Sequence, residues 1–172
     1  MGVFQQPASN FVTGFRVRSS ERDLSEADYS IHSELNYSEL MIIGTGIDIV
    51  DIGRIENLVT RWGNSFINRV FTEREIDRCQ KRARPPECFA TRFAAKEAFL
   101  KAMGTGLRGG IRWTDIEVEN DPFGKPFFSF HRKAKEVLKT NGIQRALLTL
   151  SHERPFAVAH VLLEGADETT HL

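Results

Sequence analysis

Residues 87–103 read ECFATRFAAKEAFLKAM and run directly into Gly104. Phe and Ala recur at close-packing spacings, which predicts one long helix packed tightly against its neighbours and stopped at the glycine. Upstream, Pro85-Pro86 separates it from a shorter helix. That helix opens on Thr72, with Glu75 three residues later as a capping box, and runs to about Ala83. Further back, residues 41–50 (MIIGTGIDIV) are rich in Ile and bounded by Gly, the pattern of a strand. Residues 51–62 place apolar side chains at 52, 55, 58, 59 and 62, one helical face ended by Gly63. Downstream, residues 113–119 alternate as a strand, 120–124 (NDPFG) make a turn, and 126–130 form its short partner. A basic amphipathic helix over 131–140 ends at Asn141-Gly142. Residues 145–151 and 156–163 are two apolar strands joined around Glu153-Arg154-Pro155 as a hairpin. Strands, helices and then more strands, with no internal repeat, define an α+β domain with a mostly antiparallel sheet.

The chain has 172 residues, 41% hydrophobic and 27% charged, which suits one globular domain with a tail. No apolar run approaches the ~18 residues of a membrane-spanning helix. Twenty-three basic and 23 acidic residues give a formal charge of 0. The zero is a cancellation. Residues 1–40 hold three basic and six acidic residues, a net −3, with many Ser and no sustained apolar period. This segment lacks the apolar region of a signal peptide, and its acids argue against a mitochondrial presequence. It reads as a flexible extension, with at most a short helix over 25–40. Residues 41–164 form the domain and 165–172 a polar tail. Residues 41–172 carry +3, and within them 54–84 hold eight basic residues against four acidic ones. That stretch is a solvated helical surface or a docking face for an acidic protein. Aromatics are not interleaved with its charges, so nucleic acid is a poor partner. Cys79 and Cys88 are the only cysteines. Their spacing fits no zinc site, and two cysteines in a charged stretch suggest a reduced, cytoplasmic protein without a disulfide framework.

Two carboxylates stand out. Asp48 lies between Ile47 and Ile49, so strand alternation points it to the opposite face. On its own such a residue is most often a solvated outer-face acid. Glu97 lies inside the packed helix, where a bare carboxylate costs several kcal/mol. Pairing with Lys101 one turn on is the ordinary explanation. A strand carboxylate and a helix carboxylate can instead share a hard cation. Mg²⁺ takes one or two carboxylates and leaves its other positions to water and substrate phosphate. Arg92, Lys96 and Lys101 surround Glu97 in sequence, either as a solvated basic face or as contacts for a phosphorylated substrate. Residues 104–110 (GTGLRGG) make a flexible turn able to border a phosphate, although a helix C-terminus is a poor place for an anion. Ser151-His152 ends a strand. His152 suits a base or a hydrogen-bonding group, and no nucleophile elbow surrounds the serine.

In this order the segments IIGTGIDIV (42–50) with Arg54-Ile55, FTERE (71–75), RFAAKEAFLKA (92–102) with GTG (104–106), GKP (124–126) and LSH (150–152) resemble the short class of 4′-phosphopantetheinyl transferase, the holo-[acyl-carrier-protein] synthase family. The resemblance covers residues 41 to about 164. It implies the fold of that family in a single-copy unit. It also implies an enzyme that transfers 4′-phosphopantetheine from coenzyme A to a serine of apo-acyl carrier protein, leaving adenosine 3′,5′-bisphosphate, in support of fatty acid biosynthesis. By resemblance Mg²⁺ is held by Asp48 and Glu97, and Lys101 contacts the phosphates and assists the leaving group. Arg92, Lys96, Lys101, Gly104 and His152 line the coenzyme A site. The catalytic set is Glu97, Lys101 and His152, with Glu97 the chosen proton acceptor, directly or through a water it orients. Arg54 and Arg61 meet the acidic helix of the carrier. Members of this class usually form homotrimers in the cytoplasm, with sites at subunit interfaces and no need of nucleic acid or membrane. Two other readings are the same chemistry on a peptidyl or polyketide carrier, and a non-catalytic module that binds an acidic protein.

Overall fold

A computed structural model describes residues 40–166. The extension and tail inferred from the sequence therefore lie outside the described residues, apart from Leu40, Gly165 and Ala166, which belong to strands.

The elements are β1 (Leu40–Asp51), α1 (Ile52–Trp62), α2 (Asn64–Val70), α3 (Glu73–Gln80) and α4 (Pro85–Ala102). A short 3₁₀ turn (Trp113–Asp115) leads into β2 (Ile116–Asn120) and β3 (Pro126–Phe130). Then come α5 (Arg132–Thr140), β4 (Ile143–Glu153) and β5 (Phe156–Ala166). Two antiparallel sheets result, one ordered β1-β5-β4 and the other β2-β3.

Helix α4 is buried nearly all round, as expected of a helix whose apolar and small residues leave no polar face. Its alanines let the larger sheet come close, and two glycines on β1 complete the fit. A Cβ on Gly46 would collide with the Ala98 carbonyl oxygen, and one on Gly44 with that of Ala102. On the other side Phe99 packs against Phe128 and Phe130 of β3, with ring centroids 5.5 and 4.8 Å away. Burying a side chain such as Phe99 contributes about 1.5–3 kcal/mol. Phe71 and Phe89 (4.9 Å) and Phe93 and Trp113 (5.3 Å) close the ends of this core.

Most boundaries fall within a few residues of the sequence pattern. Three differences have physical causes. The prolines do not merely end the preceding helix. They begin α4, because the first helical positions need no N–H donor. Helix α2 was not anticipated, since its seven residues are too short to show a period. The expected strand from Trp113 starts instead as a 3₁₀ turn, held by the Arg112 N–H donating to Asp115 Oδ2 at 3.0 Å. A further correction concerns the cysteines. The end of α3 and the first turn of α4 stand side by side across the 81–84 turn, so Cys79 and Cys88 are joined as a disulfide with their Cα atoms 5.3 Å apart.

Candidate active site

The row Gly44, Gly46, Asp48 follows strand alternation along the face of β1 that meets α4. The two glycines bring the helix backbone onto the strand, and the third member of the row then reaches helix side chains. Asp48 Oδ1 accepts from Lys101 Nζ at 2.8 Å, and the same ammonium reaches the Ile47 carbonyl at 3.1 Å. The burial order inverts the commonest reading of this strand. Ile47 and Ile49 are 61% and 62% exposed, whereas the Asp48 side chain is only 13% exposed.

Glu97 lies beside this pair. Lys101 has turned to Asp48, so the anticipated Glu97–Lys101 pair does not form, and no ion pair closes on Glu97 among the described residues. Burial, and then the negative charge of Asp48, hold Glu97 above the usual carboxylate value, while Lys101 and Arg54 act in the opposite direction. Of the two carboxylates only Asp48 is paired among the described residues, and Glu97 has the Lys101 and Arg54 charges near it without an ion pair of its own. All-oxygen donors with open positions fit a hard divalent cation such as Mg²⁺. No cluster of three or more His, Cys, Asp or Glu exists among the described residues, so other ligands would come from water or substrate.

A basic cavity of about 580 Å³ opens at the other end of α4, lined by Arg82, Arg84, Glu87, Arg92, Asn120 and His152 among others. Arg92 is 4% exposed, and burial lowers its pKa to about 10. Its Nη2 donates to Asn120 Oδ1 at 3.1 Å, while Nε is buried without a protein partner among the described residues. Glu87 accepts from Arg154 Nε at 2.7 Å and from Arg84 Nη1 at 3.2 Å, and the Arg154 bond holds its carboxyl below the usual range. His152 Nε2 stands 3.8 Å from Glu87 Oε2.

Cavity and carboxylates are tied by the sheet. Asp48 of β1 and Leu150 of β4 both pair with Ala159 of the central strand, and Leu150 lines the cavity. Two strand spacings separate them by about 10 Å. Along the axis of α4, Glu97 lies about 7.5 Å beyond Arg92, and five residues turn it about 140° around the helix. One strand, β5, thus stands between the strand of Asp48 and the strand whose Leu150 lines the cavity.

Lys96 does not join them. It is wholly buried, donating from Nζ to Glu75 Oε2 (2.7 Å), the Val70 carbonyl (2.8 Å) and the Trp113 carbonyl (3.1 Å). This corrects its assignment as a coenzyme contact: three acceptors consume its three protons inside the core. Gly104, at φ +68°, follows α4 in an exposed turn and does not line the cavity. Arg54 and Arg61 are exposed on α1, Arg54 close enough to act on the charge of Glu97 and Arg61 stacked over Trp62 at 5.2 Å. The sequence reading missed Arg82, Arg84, Glu87 and Asn120. The two arginines were visible only as part of a basic stretch, of which Arg54 and Arg61 lie on α1, Arg82 and Arg84 line the cavity and the other four do neither.

The chain belongs to the 4′-phosphopantetheinyl transferase superfamily, whose family model matches residues 44–159. Within that class it is similar to holo-[acyl-carrier-protein] synthases. It is 51% identical over 124 residues to that of Koribacter versatilis, covering 72% of this chain and 99% of the relative. It is 50% identical over 125 residues to that of Syntrophus aciditrophicus, covering 73% and 98%. The crystal structure of the Neisseria meningitidis synthase superposes with a TM-score of 0.68 at 38% identity, covering 72% of this chain and 98% of that one. That of Helicobacter pylori, in complex with coenzyme A, gives 0.62 at 33% identity, covering 69% and 98%.

Proposed function

We propose that this chain transfers 4′-phosphopantetheine from coenzyme A to a serine hydroxyl of an apo-acyl carrier protein, releasing adenosine 3′,5′-bisphosphate, as a cytoplasmic enzyme serving fatty acid biosynthesis. The observation that carries the reading is the Asp48–Lys101–Glu97 cluster set one short step along α4 from a cavity walled by Arg82, Arg84 and Arg92. The cavity suits the phosphorylated nucleotide end of coenzyme A, because arginine forks match phosphate oxygens. Asn120 keeps Arg92 oriented and His152 offers a hydrogen bond at the rim. The pyrophosphate then lies toward Lys101, and Arg54 and Arg61 face an acidic carrier.

Asp48 and Glu97 would hold Mg²⁺, which supplies neutralisation of the pyrophosphate and of charge developing on the leaving oxygen. The serine oxygen forms a bond to the pantetheine-bearing phosphorus as the pyrophosphate P–O bond breaks. Glu97, directly or through a water it orients, accepts the serine proton. Lys101 donates a hydrogen bond or proton to the departing bisphosphate oxygen. Lys96 acts at a distance by fixing α4 to α3. A homotrimer is part of the same reading, supported by Ile42, Ile47 and Ile49, each more than 60% exposed on edge strand β1.

Incubating the protein with coenzyme A, Mg²⁺ and apo-acyl carrier protein, and weighing the carrier, tests this directly. A phosphopantetheine mass gain is expected, and Asp48→Ala or Glu97→Ala should reduce its rate at least about 100-fold, the usual scale for a lost electrostatic or acid–base contribution. An unmodified carrier overturns the activity, and full rate in either variant overturns the two-carboxylate site.

A further inference from the structure

The disulfide sits where the nucleotide cavity can feel it. Cys79 is wholly buried at the end of α3, whereas Cys88 is half-buried in the first turn of α4 and lines the cavity. The bond closes residues 80–87 into a loop, so it tethers the 81–84 turn that carries Arg82 and Arg84. Arg92 Nη1 donates to Cys88 Sγ at 3.0 Å and to the Cys88 carbonyl at 3.4 Å. Around Arg92 stand Glu75, which favours its charge and is itself paired with Lys96, and Arg78 and Arg82, which disfavour it, so three guanidinium groups gather here. The neighbouring carboxylate, Glu87, is occupied by Arg154 and Arg84. Guanidinium groups favour a thiolate over a thiol.

We propose that Cys79 and Cys88 form a redox-active pair, with Cys88 the attacking thiolate, and that its oxidants are anionic low-molecular-weight disulfides of the glutathione type. The Cys88 thiolate attacks one sulfur of R–S–S–R, forming Cys88–S–S–R and releasing RS⁻. Cys79 then loses its proton and attacks the Cys88 sulfur, expelling the second RS⁻. Two electrons pass from the protein to the small disulfide, and excess thiol reverses both steps. The resting Cys79 is shielded from solvent, so it resolves and does not initiate. A disulfide of this kind is compatible with a reducing compartment, where protein disulfides are transient and redox-sensing.

The pair also sets the state of the cavity, a consequence that rests on the reading of that cavity as the nucleotide subsite. In the disulfide, Cys88 is a neutral weak acceptor and Arg92 keeps its charge for phosphate. In the dithiol, a thiolate competes for Arg92 and the Arg82–Arg84 turn loses its tether. Nucleotide binding is therefore tighter in the oxidised form, and by reciprocity bound nucleotide favours oxidation.

The test uses the full chain, reduced or oxidised, with adenosine 3′,5′-bisphosphate as a probe that has no thiol of its own. Calorimetric titration is expected to show at least about 5-fold tighter binding to the oxidised form. Equal binding to both forms overturns the coupling alone, and binding to neither overturns it together with the nucleotide subsite. Glutathione disulfide should oxidise the reduced chain at least about 10-fold faster than cationic cystamine, each rate taken relative to that with free cysteine. No preference removes the role of the arginines. Cys79→Ala should retain one glutathione on Cys88 by mass, and in Cys88→Ala the remaining Cys79 should stay unmodified. Labelling of Cys79 at the rate of Cys88 overturns the assigned order of attack.

Discussion

Glu97 shows what a single side chain can report. Its carboxyl is held above the ordinary 4.5 mainly by burial and then by Asp48. Folded chain therefore binds this proton more tightly than unfolded chain, so stability falls as pH rises from the unfolded value through the folded one and is flat beyond. In metal-free protein the urea midpoint should show that decline, and Glu97→Gln should remove this part of it. Mg²⁺ should stabilise the wild type above the window and leave the variant unmoved. An unchanged pH slope in the variant assigns the effect to another group. Asp48 and Glu97 were legible as candidates because a carboxylate in an apolar run is conspicuous. Lys96 was not: Arg92, Lys96 and Lys101 are three cations on one helix, and only burial separates a core tie from surface or cavity groups. The fourth cation of consequence, Arg84, lies in a turn without any pattern.

At the scale of elements, Lys96 is a rivet. One ammonium joins α4 to the end of α2 through Val70, to α3 through Glu75 and to the 3₁₀ turn through Trp113. Glu75 in turn accepts from the Thr72 N–H at 2.9 Å and the Val118 N–H at 3.0 Å, extending the tie to β2. Lys96→Met would leave Glu75 buried without its counter-charge, a loss of about 3–5 kcal/mol. Denaturant unfolding should show it, and Lys96→Met with Glu75→Gln should recover part. A loss below about 1 kcal/mol would show that the pair contributes no more than an exposed one. The capping box was readable from Thr72 and Glu75, yet only half of the glutamate's work was. Its cap is local, whereas its partners at 96 and 118 are long-range contacts that a single sequence does not display. The same applies to α2, whose existence depends on tertiary packing of Ile67 and Val70 and not on any periodic signal.

At the scale of the molecule, the larger sheet has one face under α4 and another that exposes Ile47, Ile49 and His160, the last joined to Thr45 Oγ1 at 3.1 Å. Apolar side chains on an edge strand invite a second copy. If the proposed trimer uses this face, Ile47→Glu should shift the chain toward monomer in light scattering while leaving its far-ultraviolet spectrum intact. An unaltered mass would place the contact elsewhere. The fold class was legible because each strand and most helices carry a local signal, an apolar run, an alternation, a helical face or a cap. The exposure of this face was not, because an isolated apolar strand reads the same whether its cover is another element or another chain. One property of the sheet reaches further. The gap between Asp48 and Leu150 is set by backbone hydrogen bonds through Ala159, not by side chains. It is thus a ruler that point substitution does not recalibrate. On the proposed reading of the site, selection can repaint either end, but a donor with a longer or shorter span between its anionic groups would require another strand. Such an enzyme is expected to be permissive about what hangs beyond the second phosphate and strict about everything between.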